Sequence, residues 1–298
     1  MILLAGANGR LGRQVLKLLG SDKVVASVRR PMDDGLAANE IIVADYAAMR
    51  DIPWHRFRAV INTAGTTMGT KEDLAAANID FAVNLAKAAS AGGVRRFIQI
   101  SSFSVYGFAE RIGLECIEAP ASDYGWSKAR CDTLLQELAT ESFGVLSIRL
   151  PFMFSENEPA LFHPLLKMLS RLAVLPTTRV GVQRSMITYT GAAQISAHFA
   201  DRDDRGRVCG AGREPFDARM LARLMADEVG RTLRQIVVPD SVVKMLFAAA
   251  PTFSRRLLQS SVLAPSANAA LDIPDLDGIE YALRALVRKY MSNTAQLV

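Results

Sequence analysis

The sequence predicts an α/β fold: a parallel, doubly wound sheet followed by a smaller, mostly helical carboxy-terminal lobe. Short apolar runs alternate with helical runs from the first residues onwards. Alternation at this interval is typical of βαβ units, which build parallel sheets. After Pro151 the pattern becomes irregular, and the last third of the chain is mostly helical. We therefore predict one domain over residues 1–150, with a returning segment near 180–205, and a lobe over 151–298.

Six apolar runs are the predicted strands: ILLAG, VVASV, EIIVAD, AVINTAG, RFIQISS and VLSIRLP. Helical periodicity is found in GRLGRQVLKLLG, in DLAAANIDFAVNLAKAASAGG, and from near Tyr124 to about Ser142. Further on, RSMITYTGAAQISAHFA predicts a short strand and then a helix, and DRDDRGR predicts a solvated loop. The stretch VVKMLFAAAPTF predicts a buried helix, because Lys244 and Pro251 interrupt it. No apolar run approaches the ~20 residues that a membrane span needs.

The composition suits a globular protein with a sizeable core: 298 residues, half of them hydrophobic and 22% charged. The three cysteines and three histidines lack metal-ligand spacing, so no metal site is expected. A strand pattern begins at once, which leaves no room for a signal peptide. The cysteines Cys116, Cys131 and Cys209 are scattered and odd in number, which favours a reducing cytoplasm. The net charge of +5 suits an anionic ligand, but equally an acidic membrane surface or nucleic acid. Without a basic tail or stacking aromatic motif, nucleic-acid binding is not expected.

A glycine-rich turn, GANGRLG, follows the first strand and opens the first helix. Glycine permits the tight turn and lets backbone approach a pyrophosphate, while the helix amino terminus offers N–H donors and partial positive charge. This context predicts a Rossmann-like dinucleotide site rather than a turn that only packs helix on strand. The predicted cofactor contacts in the turn are Gly6, Asn8, Gly9, Arg10, Leu11 and Gly12.

The end of the second strand indicates which dinucleotide is bound. A carboxylate is expected there for an unphosphorylated adenosine ribose, but VVASVRRP offers Arg29 and Arg30 instead. Arginine pairs with a 2′-phosphate, so Arg29 favours NADP over NAD, unless both arginines are only solvated surface residues. Asp45, the last residue of the predicted third strand, either accepts from the adenine amino group or caps the next turn.

Tyr124 and Lys128, in the run DYGWSK, are the predicted catalytic pair. Four residues apart on a helix, their side chains share one face, where a positive charge favours the phenolate form of a tyrosine. Ser102, in ISSFSVYG, ends a strand and offers a hydroxyl donor. Taken singly, these are a surface pair and a strand-end hydroxyl. Together they predict a proton donor and a hydrogen-bond donor at a reacting oxygen.

In this order, GANGRLG, Asp45, NTAG, Asn78, SSFSVYG and Tyr124-x-x-x-Lys128 resemble the short-chain dehydrogenase/reductase family. The extended branch, which acts on nucleotide sugars, is the most similar. The resemblance covers most of the chain and is most specific over the first 150 residues. It implies cofactor contacts at Ala64 of NTAG, Tyr124 and Lys128, and a homodimer.

The resemblance also assigns roles in the reaction. Ser102 matches the residue that hydrogen-bonds the reacting oxygen, Tyr124 the proton donor and acceptor, and Lys128 the residue that lowers the tyrosine pKa and holds the nicotinamide ribose. Asn78 matches a structural helix asparagine. Ser102 is thereby also a substrate contact, and the arginines expected to hold the substrate diphosphate are Arg184 and Arg256.

Three positions depart from the family pattern. Arg29 replaces the acidic residue after the second strand, which puts NAD in doubt. Phe152 stands where many epimerases have asparagine, and Ala264 where a polar residue is often found. Substrate contacts therefore cannot simply be copied from the epimerases.

The sequence thus predicts an NAD(P)-dependent oxidoreductase that reduces a 4-keto group of a nucleotide-diphosphate sugar. The alternative is a 4-epimerase that retains its cofactor, because both reactions use the same three catalytic residues. A third hypothesis is a non-catalytic redox sensor on the same fold. The resemblance argues against it, because such relatives typically lack the tyrosine–lysine pair.

The assignment of Arg29 can be tested by cofactor binding. We expect Arg29→Ala to weaken NADP by roughly tenfold or more, because a charge-assisted contact to the 2′-phosphate is lost. NAD, which lacks that phosphate, should lose much less. Calorimetric titration with both cofactors measures the two changes, and equal losses would refute the assignment.

Overall fold

The computed structural model describes residues 1–29, 38–43, 48–155, 162–179, 181–230, 233–249, 259–269, 271–273 and 276–295. The elements of the first half are β1 (Ile2–Ala5), α1 (Arg10–Leu19), β2 (Val24–Val28), β3 (Ile41–Val43), β4 (Ala59–Asn62), α2 (Lys71–Ala75), α3 (Phe81–Ala91), β5 (Arg96–Ser102), β6 (Arg111–Ile112), α4 (Asp123–Glu137) and β7 (Gly144–Leu150). A π-helical segment, Ala76–Asp80, joins α2 to α3, and a short 3₁₀ segment, Phe103–Tyr106, follows β5.

The elements of the second half are shorter and more varied. They are β8 (Phe152–Phe154), α5 (His163–Leu172), β9 (Val174–Thr177), β10 (Gln183–Arg184), β11 (Met186–Thr188), α6 (Tyr189–His198), β12 (Gly206–Cys209), β13 (Phe216–Asp217), α7 (Ala218–Val229), β14 (Arg234–Val237), α8 (Asp240–Ala249), β15 (Val262–Leu263), α9 (Pro265–Ala269) and α10 (Ile279–Ala295).

The main sheet has seven parallel strands in the order β12-β7-β5-β4-β1-β2-β3. The chain winds outwards from β1 in both directions, so the strand order reverses between β1 and β4. In an open parallel sheet, ligands bind beyond the carboxyl ends of the strands at such a reversal. The predicted doubly wound, Rossmann-like fold is therefore confirmed.

The central strands are buried on both faces, which is why they appear in the sequence as continuous apolar runs. One core cluster packs α1 and α6 against the sheet, with Val15 and Ile195 among its buried residues. A second cluster packs α3 and α4 against the other face, with Leu85 and Leu135 among its members. The division predicted at residue 150 stays a prediction, since residues of α6 and β12 pack with the first domain.

The solvated loop predicted for DRDDRGR is confirmed over residues 201–205, but not at its end. The last two residues of DRDDRGR, Gly206 and Arg207, belong to β12, which pairs with β7. This strand is an edge strand and its first three residues are only partly buried. An edge strand has one unpaired side and tolerates polar residues. The polar start of β12 therefore looks like a loop in the sequence.

The prediction that VVKMLFAAAPTF forms a buried helix was wrong. The helix exists as α8, but Val242 is 37% and Met245 62% exposed. The carboxy-terminal core is already filled by α5, α7 and α10, whose buried leucines pack together. Consequently α8 lies outside that core. Among the residues that the structure describes, no helix is both long and apolar enough to cross a membrane.

A buried ion pair fixes α4 on the sheet. Arg149 of β7 is 1% exposed and Asp132 of α4 is 0% exposed, and Nε of the arginine donates to Oδ2 of the aspartate at 2.9 Å. Ser101 of β5 donates to the same Oδ2 at 2.9 Å. The other guanidinium nitrogens donate to the Tyr106 hydroxyl at 2.9 Å and to Glu118 Oε1 at 2.5 Å. This network joins β5, β7 and α4 at one place.

We predict that Arg149→Met lowers the free energy of unfolding by about 3–5 kcal/mol, because it leaves the Asp132 carboxylate buried without its partner. Urea unfolding with linear extrapolation measures the loss. The matched control is Arg130→Met. Arg130 is an exposed arginine on α4, the helix of Asp132, and its substitution should change stability by less than about 0.5 kcal/mol. Similar losses for the two variants would contradict the stabilising role of the pair.

Candidate active site

The glycine turn after β1 is shaped by two close backbone approaches. Gly6 has φ +75°, and a Cβ there would lie 2.6 Å from the Ala64 nitrogen. A Cβ on Gly12 would lie 2.2 Å from the Gly6 carbonyl oxygen. Gly9 has an ordinary φ of −68°, and the nearest atom to its Cβ would be 3.2 Å away. Gly6 and Gly12 therefore allow the fold of the turn, whereas Gly9 leaves space on its exposed side.

The amino terminus of α1 opens onto this space. Gly9 caps the helix without a side-chain hydrogen bond, so the first-turn N–H groups face a potential anion. Asn8 and Arg10 are exposed beside it, whereas Leu11 is only 6% exposed and packs into the core. Leu11 is thus limited to a backbone contact, and the open cradle fits a dinucleotide pyrophosphate.

The neighbouring strand ends complete the crevice. Gly6 and Ala7 donate their N–H groups to the Ser27 carbonyl at the end of β2. Arg29 follows directly and is exposed. After β4, the Ala64 N–H donates to Asn62 Oδ1 at 3.1 Å. Three residues considered in the sequence, Arg30, Asp45 and Arg256, lie outside the described residues.

Asn78 joins the loop after β4 to the helix that carries the predicted catalytic pair. Its Oδ1 accepts from the Thr66 N–H at 2.9 Å, and its Nδ2 donates to the Thr66 carbonyl at 2.9 Å and to Ser127 Oγ at 3.0 Å. The residue is 1% exposed and lies in the π-helical segment. These bonds give Asn78 a structural role beside Lys128.

Tyr124 and Lys128 occupy successive turns of α4. Ser122 caps this helix by accepting from the Gly125 N–H at 3.1 Å, which places Tyr124 in its first turn. Tyr124 is half-buried, while Lys128 is 5% exposed and donates from Nζ to the Ile100 carbonyl at 2.7 Å. The ammonium is therefore held at a defined place, on the helical turn that follows the tyrosine.

Ser102 ends β5 and begins the 3₁₀ segment. Its Oγ accepts from the Ser104 N–H at 3.1 Å and donates to Ser104 Oγ at 3.2 Å. The hydroxyl is thus oriented by its own loop. Sequence reasoning missed Ser104. Its position two residues after Ser102, in the same SSFS run, could have indicated a second hydroxyl at this strand end.

Tyr106, the other tyrosine near this strand, has a different environment. It is 1% exposed, accepts from Arg149 and contacts Cys209 Sγ at 3.2 Å. Burial raises the pKa of its phenol well above the usual value. The phenol therefore stays neutral and structural, which leaves Tyr124 as the tyrosine with access to a ligand.

Tyr124, Ser104 and Arg184 line one cavity of about 380 Å³. The remaining lining residues are Thr67, Gly107, Phe108, Ala109, Ala121, Ser122, Gln259, Ser260 and Ser261. Ser102 lies one hydrogen bond behind Ser104. The volume is within the usual range for small-molecule sites.

Arg184 contributes the positive charge of this cavity. Its guanidinium donates to the Gln259 carbonyl at 3.0 Å, and Gln259 in turn donates to the Phe108 carbonyl at 2.8 Å. Burial lowers the pKa of Arg184, so the charge is partly desolvated and favours an anionic ligand. Gln259, Ser260 and Ser261, which close the wall here, were missed by sequence reasoning.

The fold and the site together define a Rossmann-like protein of the short-chain dehydrogenase/reductase type. More particularly, the chain belongs to the NAD dependent epimerase/dehydratase family, whose model matches residues 2–186.

Known proteins with similar sequences or structures agree with this assignment. A UDP-glucose 4-epimerase of Vibrio cholerae is 34% identical over 194 residues, which are 59% of this chain and 58% of the relative. The match therefore spans less than two thirds of that relative. MoeE5 in complex with UDP-glucose and NAD has a TM-score of 0.72 at 18% identity, over 98% of this chain and 99% of its own. UDP-glucuronic acid 4-epimerase from Bacillus cereus in complex with NAD has a TM-score of 0.71 at 14% identity, over 97% and 99%. The two structures show the shared fold.

Two glycine substitutions separate folding of the turn from ligand binding. We predict that Gly12→Ala lowers the free energy of unfolding by more than about 2 kcal/mol, because its Cβ meets rigid backbone. Gly9→Ala should change stability by less than about 1 kcal/mol yet weaken dinucleotide binding by about tenfold, because its methyl group occupies the cradle. Urea unfolding and calorimetric titration measure the two effects. Equal stability of the two variants would contradict the tight approach at Gly12.

Proposed function

We propose that this protein transfers hydride between a nicotinamide dinucleotide and the C4 position of a nucleotide-diphosphate sugar, with net reduction of a 4-keto group. The observation that carries the proposal is the shared cavity of Tyr124 and Arg184, with Lys128 one helical turn behind the tyrosine. A proton donor and an anion-binding group in one cavity suit a substrate with a reacting oxygen and a diphosphate.

Each catalytic side chain has a defined task in this reaction. The bound nicotinamide supplies the hydride. Negative charge then grows on the sugar oxygen, where the Tyr124 hydroxyl delivers its proton and the Ser102 hydroxyl turns from Ser104 Oγ to donate a hydrogen bond. Such a donor is worth roughly 3 kcal/mol of barrier. Lys128, held by the Ile100 carbonyl, keeps a positive charge next to the phenol while the proton leaves.

Arg184 is the proposed contact to the substrate diphosphate. A guanidinium forms bidentate bonds to phosphate oxygens, and its partial burial strengthens them. The bond to the Gln259 carbonyl fixes where the guanidinium lies. The UDP-glucose bound by MoeE5, a structure of the same fold, supports a nucleotide sugar as the substrate class.

For the cofactor we propose NADP, on the basis of the exposed Arg29 after β2. An NADP preference favours net reduction, because that cofactor usually arrives reduced. The similar structures named above contain NAD, so the preference of this chain depends on Arg29.

A 4-epimerase is the second candidate, and the 34% identity to the Vibrio cholerae enzyme favours it. An epimerase would use Ser102, Tyr124 and Lys128 in both directions. It would invert the configuration at C4 with no net change in the redox state of the cofactor.

Cofactor stoichiometry distinguishes the two reactions. With a UDP-linked 4-keto sugar, we expect one NADPH to be consumed for each product molecule formed. Nicotinamide absorbance measures the NADPH consumed, and chromatography measures the product. Tyr124→Phe should lower kcat by roughly 10²–10⁴-fold, because the proton donor is lost, while NADPH affinity changes little.

The matched control is Tyr281→Phe, since that tyrosine is 84% exposed on α10 and should leave turnover unchanged. Interconversion of two UDP-sugars without a change in nicotinamide absorbance would replace reduction by epimerisation. Full turnover by the Tyr124→Phe variant would exclude the proposed role of this residue in either reaction.

A further inference from the structure

Two consecutive elements of the carboxy-terminal lobe expose apolar side chains to solvent. In β14, Ile236 and Val237 are each 54% exposed, and in α8 Met245 is 62% exposed. Leu172, at the end of α5, is 66% exposed and lies next to the start of β14, where the Arg234 N–H donates to the Ala173 carbonyl at 2.8 Å. We call the exposed side chains of Leu172, Arg234, Ile236, Asp240, Val242, Lys244 and Met245 the lobe face.

Scattered exposed apolar residues are normal, but most of this set lies in two elements that follow each other along the chain, β14 and α8, and the sequence of α8 is that of a core helix. Val242 and Met245 are three residues apart and therefore share one side of α8. The lobe core formed by α5, α7 and α10 already buries its own apolar residues. The lobe face is thus left over after that core is complete.

The lobe face also carries positive charge. Arg171, Arg234 and Lys244 are exposed within it or directly beside it, and Asp240 is the acidic residue of its described segment. The adjoining hollow of about 340 Å³, which Gln235 of β14 lines, contains two arginines and one acid, Arg219, Arg223 and Asp227. Arg219 donates to the Thr178 carbonyl, and Arg223 pairs with Glu280.

The sequence around these elements has the same character. Residues 233–258 contain four basic residues and one acidic residue among many aliphatic and aromatic ones. Apolar side chains interleaved with lysine and arginine match a surface with an anionic outer layer and an apolar layer beneath it. Long basic side chains reach towards the charged layer, while neighbouring apolar groups enter the acyl layer.

We propose that the lobe face docks peripherally on a membrane of anionic phospholipids. Ile236, Val242 and Met245 enter the interface, and Lys244 and Arg234, which shares its side of β14 with Ile236, contact lipid phosphates. This mode requires no span, in keeping with the short length of α8. The binding free energies of basic residues near an anionic bilayer and of a shallow apolar insertion add together. Stable binding needs both contributions.

The chain passes from the end of α8 at Ala249 to Gln259 in ten residues, and Gln259–Ser261 form part of the cavity wall. Ser261 donates to the Gln183 carbonyl and accepts from Ser185 through its own carbonyl. The wall is therefore tied to the strand that bears Arg184.

Vesicle flotation with the full-length protein tests the proposal, with no need for activity. We expect the protein to float with vesicles of equal parts phosphatidylglycerol and phosphatidylcholine, and to stay in solution with phosphatidylcholine alone. Ile236→Ser with Met245→Ser should reduce the bound-to-free ratio by about tenfold or more. Lys244→Gln should reduce it by about fivefold, and high salt should weaken binding of the parent protein.

The matched control is Leu18→Ser on α1, a helix packed on the main sheet. Leu18 is 49% exposed, and the variant should bind vesicles as the parent does. Unfolding by urea should be unchanged in all variants, since the substituted side chains are solvent-exposed. The proposal fails if the parent protein does not float, or if the double variant floats equally well. It also fails if light scattering shows a dimer that the double variant disrupts without any vesicle binding, because the lobe face would then join two copies of this chain.

Discussion

The buried pair of Arg149 and Asp132 is the constraint on which the position of the proposed catalytic groups depends. Two opposite charges without solvent must keep their geometry, because either one alone would be strongly unfavourable in the core. Asp132 lies one turn after Lys128 on α4, and Arg149 lies on β7 beside the end of β5. The phenol, the ammonium and the serine at the strand end are therefore held in one frame by a contact that lies behind them.

Much of the sheet could be predicted because its central strands are buried on both faces, which makes them visible as apolar runs. The edge strand β12 could not, since Gly206 and Arg207 show no alternation of apolar and polar residues. The helix over residues 240–249 was recognised but misplaced. Its composition is apolar, yet composition does not reveal whether other helices have already filled the available core.

The parts of the candidate site that depend on residues close together in sequence could be predicted, and the parts that depend on distant residues could not. The glycine turn and the Tyr124–Lys128 pair depend on short spacings in a regular element, so the sequence displays them directly. Ser104 depends on the 3₁₀ turn that folds it back onto Ser102. Gln259 reaches Arg184 across 75 residues of chain, a contact for which no local pattern exists.

The wide π turn at Ala76–Asp80 has a consequence for how one helix serves two surroundings. An additional residue in a turn rotates everything after it by about 100° around the helix axis. Asn78 can thereby turn its amide towards the loop after β4, while Ala82, Leu85 and Ala89 still face the sheet. A regular helix through the same residues would have to misalign either its polar contact or its apolar stripe, and the local irregularity removes that conflict.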